Sequence, residues 1–164
     1  MRLTLGGVLV MLAGLWWTNA LMYFDRMSLS PASVVRYYRG SPEEFIEPRT
    51  YGSMLEVTHM HLPMMALVLL LLTHLAIFLP WSTRARAGLI VSTFAFALLG
   101  EAAGWLVRFV SPAFAPLKVG AFLGLEVTLL GLLLGLAMYL AAPDRPGARA
   151  RAQAAEMRGE EYGE

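Results

Sequence analysis

The sequence predicts an all-α integral membrane fold, a bundle of four transmembrane helices, and three observations carry that prediction. The 164-residue chain is 57% hydrophobic and only 15% charged. Its mean hydropathy of +0.58 lies above that of a water-soluble domain. The charges gather in clumps, and between them run four apolar stretches of about 20 residues, the length that crosses the hydrocarbon core of a bilayer.

The first span covers residues 3–24. Arg2, the apolar run after it and the small-residue stretch Thr18-Asn19-Ala20 give it the outline of a signal peptide. Trp16, Trp17 and Tyr23 read instead as an interfacial aromatic belt. Bulky tryptophans are unusual just before a cleavage site, so a retained helix is expected. Residues 25–52 form a surface loop with short helices. Ser30-Pro31 is a helix start, with Ser30 as N-cap and Pro31 at the first position, and Gly40 can end that helix. Ser41-Pro42-Glu43-Glu44 repeats the signal with a capping box. The loop is expected to lie along the membrane surface and cover the mouth of the bundle.

The second span, residues 54–79, begins with a further capping box, Ser53 with Glu56, which gives Glu56 a helix-starting role. A helix from there to Leu79 is ~39 Å long. Pro63 lies well inside it, where it removes a donor and collides with the carbonyl of His59, so a kink is expected. Residues 80–86 read as a tight basic turn. The third span, 87–110, holds Glu101 in its apolar middle and Arg108 near its end. A Pro-bounded turn leads to the fourth span, 118–142, which holds Glu126. Residues 143–164 read as a flexible polar tail. Gly100-x-x-x-Gly104, Gly120-x-x-x-Gly124 and Gly131-x-x-x-Gly135 are small-residue faces that let helices approach closely, with one another or with a second copy of the chain.

The totals also exclude. A net charge of +1, without basic clusters interleaved with aromatics, gives no footprint for nucleic acid. The absence of cysteine removes disulfides, thiolate zinc sites, iron–sulfur clusters and covalent haem attachment. Any metal or haem must be held by His, Met, Glu or Asp. Arginines near the span ends favour both termini on the cytoplasmic side. An Arg- and Ala-rich, Lys-poor composition points to a GC-rich bacterial genome, and so to the inner membrane with the loop facing the periplasm.

All three histidines, His59, His61 and His74, lie on the second span. An imidazole in hydrocarbon needs a hydrogen-bond partner, a metal or a watery cavity. Counting 1.5 Å per residue from the span ends puts Glu101 and Glu126 ~12 Å below the loop-side surface. His59, His61 and Asn19 lie just above that level, and Arg108 falls above Glu101 on nearly the same face. All four spans therefore place polar groups in the same half of the bundle. Carboxylates inside a membrane are functional candidates by default, so the expected arrangement is one shared site with Glu101 and Glu126 handling protons. A polar network that only fixes helix register is the alternative.

Three chemistries fit such a site. Haem b is the first: His59 and His74 are ~22 Å apart along the helix and ~60° apart around it, near the stacking distance of two haems across a membrane. His59 and His61 are about 200° apart on an ideal helix, and no other span has a histidine, so bis-histidine ligation needs a second copy, a partner subunit or a Met ligand. The second is a metal: His59-Met60-His61 with Met64 offers imidazole and thioether for copper(I). Glu56-x-x-His59 is half of a carboxylate-bridged di-iron motif. The third is quinone, which a His and a Glu near the membrane surface can bind and deprotonate as quinol.

Thr58-His59-Met60-His61-Leu62, followed by Thr73-His74-Leu75, resembles the His-x-His helix of small four-span membrane proteins of bacterial respiratory and multihaem-cytochrome systems. It is also similar to one helix of haem–copper oxidase subunit I relatives. The resemblance implies haem b or quinone-linked electron transfer, with His59, His61 and His74 as cofactor contacts. The expected function is an integral membrane subunit of a bacterial electron-transfer complex. Its expected partners are the lipid bilayer, other membrane subunits or a second copy, and a periplasmic cytochrome. A non-catalytic structural or assembly subunit is the alternative, and a periplasm-facing copper site comes third.

Overall fold

The computed structural model describes residues 2–142; the tail expected over 143–164 lies outside the described residues. Four helices are long and apolar enough to cross a membrane, as the sequence predicts. They are α1 (Arg2–Arg26), α3 (Tyr51–Leu75), α4 (Thr83–Trp105) and α5 (Ala115–Ala141), with a shorter α2 (Pro31–Arg39) between the first two spans. A 3-10 turn, Ala76–Phe78, extends α3, and a π-turn, Leu106–Val110, extends α4.

The helix starts show which cap signals the backbone uses. Ser30 and Pro31 begin α2, and Gly40 ends it at a φ of 76°, a left-handed conformation that glycine adopts without cost. Ser41 forms no capping box. Its backbone exchanges two hydrogen bonds with Ile46, at 2.9 and 3.0 Å, and Glu44 pairs with Arg36 instead. The second span starts at Tyr51 rather than at Ser53, because the Thr50 hydroxyl takes the cap and accepts from Ser53 N. Ser53 thus lies inside the first turn, and Glu56 is an exposed residue beyond it. Ser82 caps α4, so the basic turn is shorter than expected and Arg84 and Arg86 are already helical. Pro63 lies inside α3 without interrupting it.

Buried threonines keep the apolar helices free of unpaired hydroxyls. Thr73 donates to Leu69 O at 2.6 Å and Thr93 to Leu89 O at 2.8 Å. Two apolar cores follow. At the end of the bundle where α1 starts and α5 ends, Leu12, Leu72, Ala76, Leu79, Leu132 and Leu133 pack together. At the loop end, Val34, Tyr38, Met54, Val107 and Ala115 do so, and α2 thereby closes that end. Arg2 Nη2 donates to Ala142 O at 2.7 Å, which places the start of α1 beside the end of α5.

α5 is the hub, packed most extensively against α4 and then against α1 and α2. Half of its most apolar stretch is buried, against 6% for α1. The glycine motifs act as seats for large side chains more than as backbone-to-backbone contacts. A Cβ at Gly124 would fall 2.5 Å from the Phe96 ring, and one at Gly104 2.8 Å from the Tyr38 hydroxyl. The aromatic belt expected on α1 is mostly turned inward. Trp16 Nε1 donates to the Glu126 carbonyl at 3.1 Å. Tyr23 stacks on Phe122 with ring centroids 3.7 Å apart, and Trp17 remains exposed.

Candidate functional site

Two residues on α3 and two on α4 build one polar ladder in an apolar setting. Thr58 and His61 are one turn apart on α3, and Glu101 and Trp105 one turn apart on α4, so each pair shares a helix face. Where the faces meet, His61 Nδ1 lies 2.9 Å from Glu101 Oε1. Thr58 Oγ1 donates to Glu101 Oε2 at 3.4 Å, and Trp105 Nε1 donates to Thr58 Oγ1 at 2.9 Å. Both carboxylate oxygens are therefore engaged. The His61 side chain is 52% exposed and that of Glu101 only 18%, so the imidazole is the open end of the ladder. Its Nε2 carries no hydrogen bond among the described residues.

Aromatic rings and two further polar groups frame this ladder. Tyr51, Trp105 and Phe109 form a trio with centroids 5.4, 5.5 and 6.1 Å apart. Lys118 Nζ on α5 donates to Gly100 O, the residue before Glu101, at 2.8 Å, and lies 5.9 Å from the Tyr38 ring centroid. Tyr38 reaches in from α2 because Gly104 has no side chain to block its hydroxyl. Burial above all, then the neighbouring Tyr37 and the Glu101 carboxylate, pushes the Tyr38 phenol above the ordinary tyrosine range. Tyr38 therefore stays a neutral phenol within electrostatic reach of Glu101.

The single cluster expected from depth alone is divided into two. Glu126 pairs with α1: its Oε1 accepts from Asn19 Nδ2 at 2.5 Å, while Oε2 is buried without a partner. No hydrogen bond or ion pair joins this pair to the His61–Glu101 ladder among the described residues. Depth fixes a level in the membrane but not an azimuth, and Glu126 faces α1 rather than α4. Asn19 accordingly stands with Glu126 and away from the histidines.

The other expected site residues lie apart from both pairs. Arg108 Nε donates to Arg49 O at 2.6 Å, and its guanidinium lies 4.9 Å from the Phe109 ring centroid. Arg108 lies beyond Trp105, in the π-turn that starts at Leu106, and it bonds the backbone leading into α3 rather than a side chain of the ladder. His59, His74, Glu56 and Met64 are all exposed on α3, and their side chains make no hydrogen bond or ion pair among the described residues. His59 and His61 stay on different sides of the helix, because Pro63 does not rephase them. Among the described residues no three His, Asp or Glu side chains come together. Four residues that sequence reasoning did not single out belong to the site: Thr58, Trp105, Lys118 and Tyr38. For the first two, the matching one-turn spacings to His61 and Glu101 are the available signal. Tyr38 sits on a surface helix with no such mark.

A family model described as Aq_1264_TM, a transmembrane helical domain, matches residues 28–147. The match takes in the loop with α2 and the spans α3, α4 and α5, so the whole ladder lies within it. No curated protein and no solved structure matches the chain.

Proposed function

For a chain that belongs to the Aq_1264_TM family of transmembrane helical domains, we propose a role as an integral subunit of a bacterial electron-transfer complex that binds a membrane quinone at the His61–Glu101 ladder. One observation carries this reading: a half-exposed imidazole whose inner nitrogen is held 2.9 Å from a mostly buried carboxylate. Such a pair presents one outward nitrogen to an oxygen on a planar ring. The carboxylate fixes the imidazole's orientation and takes up or returns the proton that passes through it. Thr58 and Trp105 hold Glu101 in place from behind. The aromatic trio offers flat apolar faces, which suit a quinone ring better than a hydrated ion. The sequence resemblance of the His-x-His helix to respiratory membrane proteins supports the same class.

The full-length protein in nanodiscs, labelled with a photoreactive quinone and mapped by mass spectrometry, tests this. Labelling should concentrate on the α3–α4 face near His61, and His61→Leu should reduce it by about tenfold, the loss expected for one good hydrogen bond to a charged pair. Glu101→Gln should weaken it less while abolishing its pH dependence. Label spread evenly along the lipid-facing helices would sink the reading.

A second reading rests on a separate observation. His59 and His74 are exposed on the same chain span with unbonded imidazoles, and an imidazole in hydrocarbon needs a partner. Haem b ligated between α3 and a partner chain meets that need. A reduced-minus-oxidised visible spectrum of the assembled complex should then show b-type bands that His59→Ala removes. A spectrum unchanged by that substitution would exclude His59 as a ligand.

A further inference from the structure

A cavity of about 460 Å³ opens at the loop end of the molecule, with Arg26, Arg36, Arg49, Tyr37, Glu47 and Thr50 in its wall. We propose that it is a binding site for the phosphate of a membrane phospholipid, held by Arg26 and Arg49. Position is the first argument. Arg26 ends α1 and Arg49 directly precedes the Thr50 cap of α3, so both stand where two spans leave the hydrocarbon and lipid headgroups lie.

Charge is the second. Arg26 Nη1 donates to the Tyr37 hydroxyl at 3.2 Å, and the Arg49 guanidinium sits 4.4 Å from the centroid of the same ring. Neither has a carboxylate partner among the described residues. Arg36, by contrast, is matched by Glu44 at 3.1 and 3.2 Å. Two cations gathered round one ring repel, and an anion shared between them relieves that repulsion while gaining charge-assisted hydrogen bonds. The wall's three arginines against Glu44 and Glu47 leave one positive charge, which equals the single negative charge of a phosphodiester.

The start of α3 adds a third element. Its first turn has no acidic residue, so the positive end of the helix dipole faces the Thr50–Ser53 side of the cavity uncompensated. Tyr37 is the positioning residue, orienting one guanidinium through its hydroxyl and the other through its face.

Native mass spectrometry of the purified full-length protein, with thermal unfolding beside it, tests the site. The probes are phosphatidylglycerol, phosphatidylethanolamine, the diacylglycerol with the same chains, and inorganic phosphate. One phospholipid should stay bound per chain and raise the melting temperature, while diacylglycerol should do neither. R26Q/R49Q should weaken retention by roughly tenfold or more, as expected for lost charge-assisted contacts, and R26K/R49K should restore most of it. Should the double variant not fold, each single Arg→Gln exchange reads the same way with a smaller loss. Equal retention by R26Q/R49Q, equal stabilisation by diacylglycerol, or the full effect from inorganic phosphate alone would each overturn the assignment.

Discussion

On α5, glycine is a seat: a Cβ at Gly124 would meet the Phe96 ring at 2.5 Å, and one at Gly135 would run into Leu79. On α1, Gly6, Gly7 and Gly14 have nothing within 4 Å. The two helices are of similar length and both are long and apolar enough to cross a membrane, yet half of one's most apolar stretch is covered by the rest of the chain and almost none of the other's. In a bilayer, lipid tails are as apolar as Leu, so burying apolar area gives no drive to association. α1 is therefore attached by the Leu12 stretch in the apolar core and by a few directional contacts: Trp16 and Asn19 on Glu126, Tyr23 on Phe122, and Arg2 on Ala142. α5 is held by shape.

That contrast can be broken or sharpened by substitution. The largest effect is expected at the α4–α5 seam. Gly124→Ala should cost about 1–3 kcal/mol, the usual range for overpacking a filled site, measured by steric-trap or denaturant unfolding in bicelles. A cost below ~0.5 kcal/mol would mean that Phe96 moves aside freely and that the seam is not held by shape. Next comes the α1–α5 contact. A double-mutant cycle of Asn19→Ala with Glu126→Ala should give a coupling near the ~0.6 kcal/mol typical of interhelical polar pairs, with ~1.7 as the upper bound. Zero coupling would leave α1 held by its remaining contacts, the Leu12 packing, the aromatic pairs and the Arg2–Ala142 bond.

A smaller, pH-dependent effect is expected where α2 covers the loop end. The buried Tyr38 phenol resists ionisation in the folded protein, whereas the unfolded chain ionises it near pH 10. Above that pH the unfolded state binds fewer protons, so stability falls as pH rises. Tyr38→Phe should flatten that alkaline decline, and melting curves from pH 8 to 11 would show it. The smallest effect is expected on α1. Gly7→Ala should change stability by no more than ~0.5 kcal/mol, because open space receives the methyl; a larger loss would reveal a protein neighbour on that face.

How much of this was legible in the sequence differs between the fold and the site. The four spans were, because bilayer thickness sets their length and the charges mark their ends. Their starts were less so: Thr50 and Ser53 are both cap residues, and only the backbone decides which one takes the role. His61 and Glu101 stood out as polar groups in apolar runs. Their pairing was readable only in part, since one-turn spacing gives each helix a polar face but not the azimuth at which faces meet. Glu126 was drawn to Asn19 for that reason. The π-turn that carries Arg108 leaves no compositional mark, so its bond to the Arg49 carbonyl was not readable.

That π-turn has a consequence for how the end of α4 is held. Five residues, Leu106–Val110, wind more widely than the α-helical stretch before them, as a π-turn does. The stretch ending at Trp105 keeps its aim at Thr58, while the tip separately grips the backbone at Arg49. The two grips on α3 and on the segment before it are thus set by different windings of one continuous rod, the ladder by the α-helical part and the Arg49 contact by the π-turn.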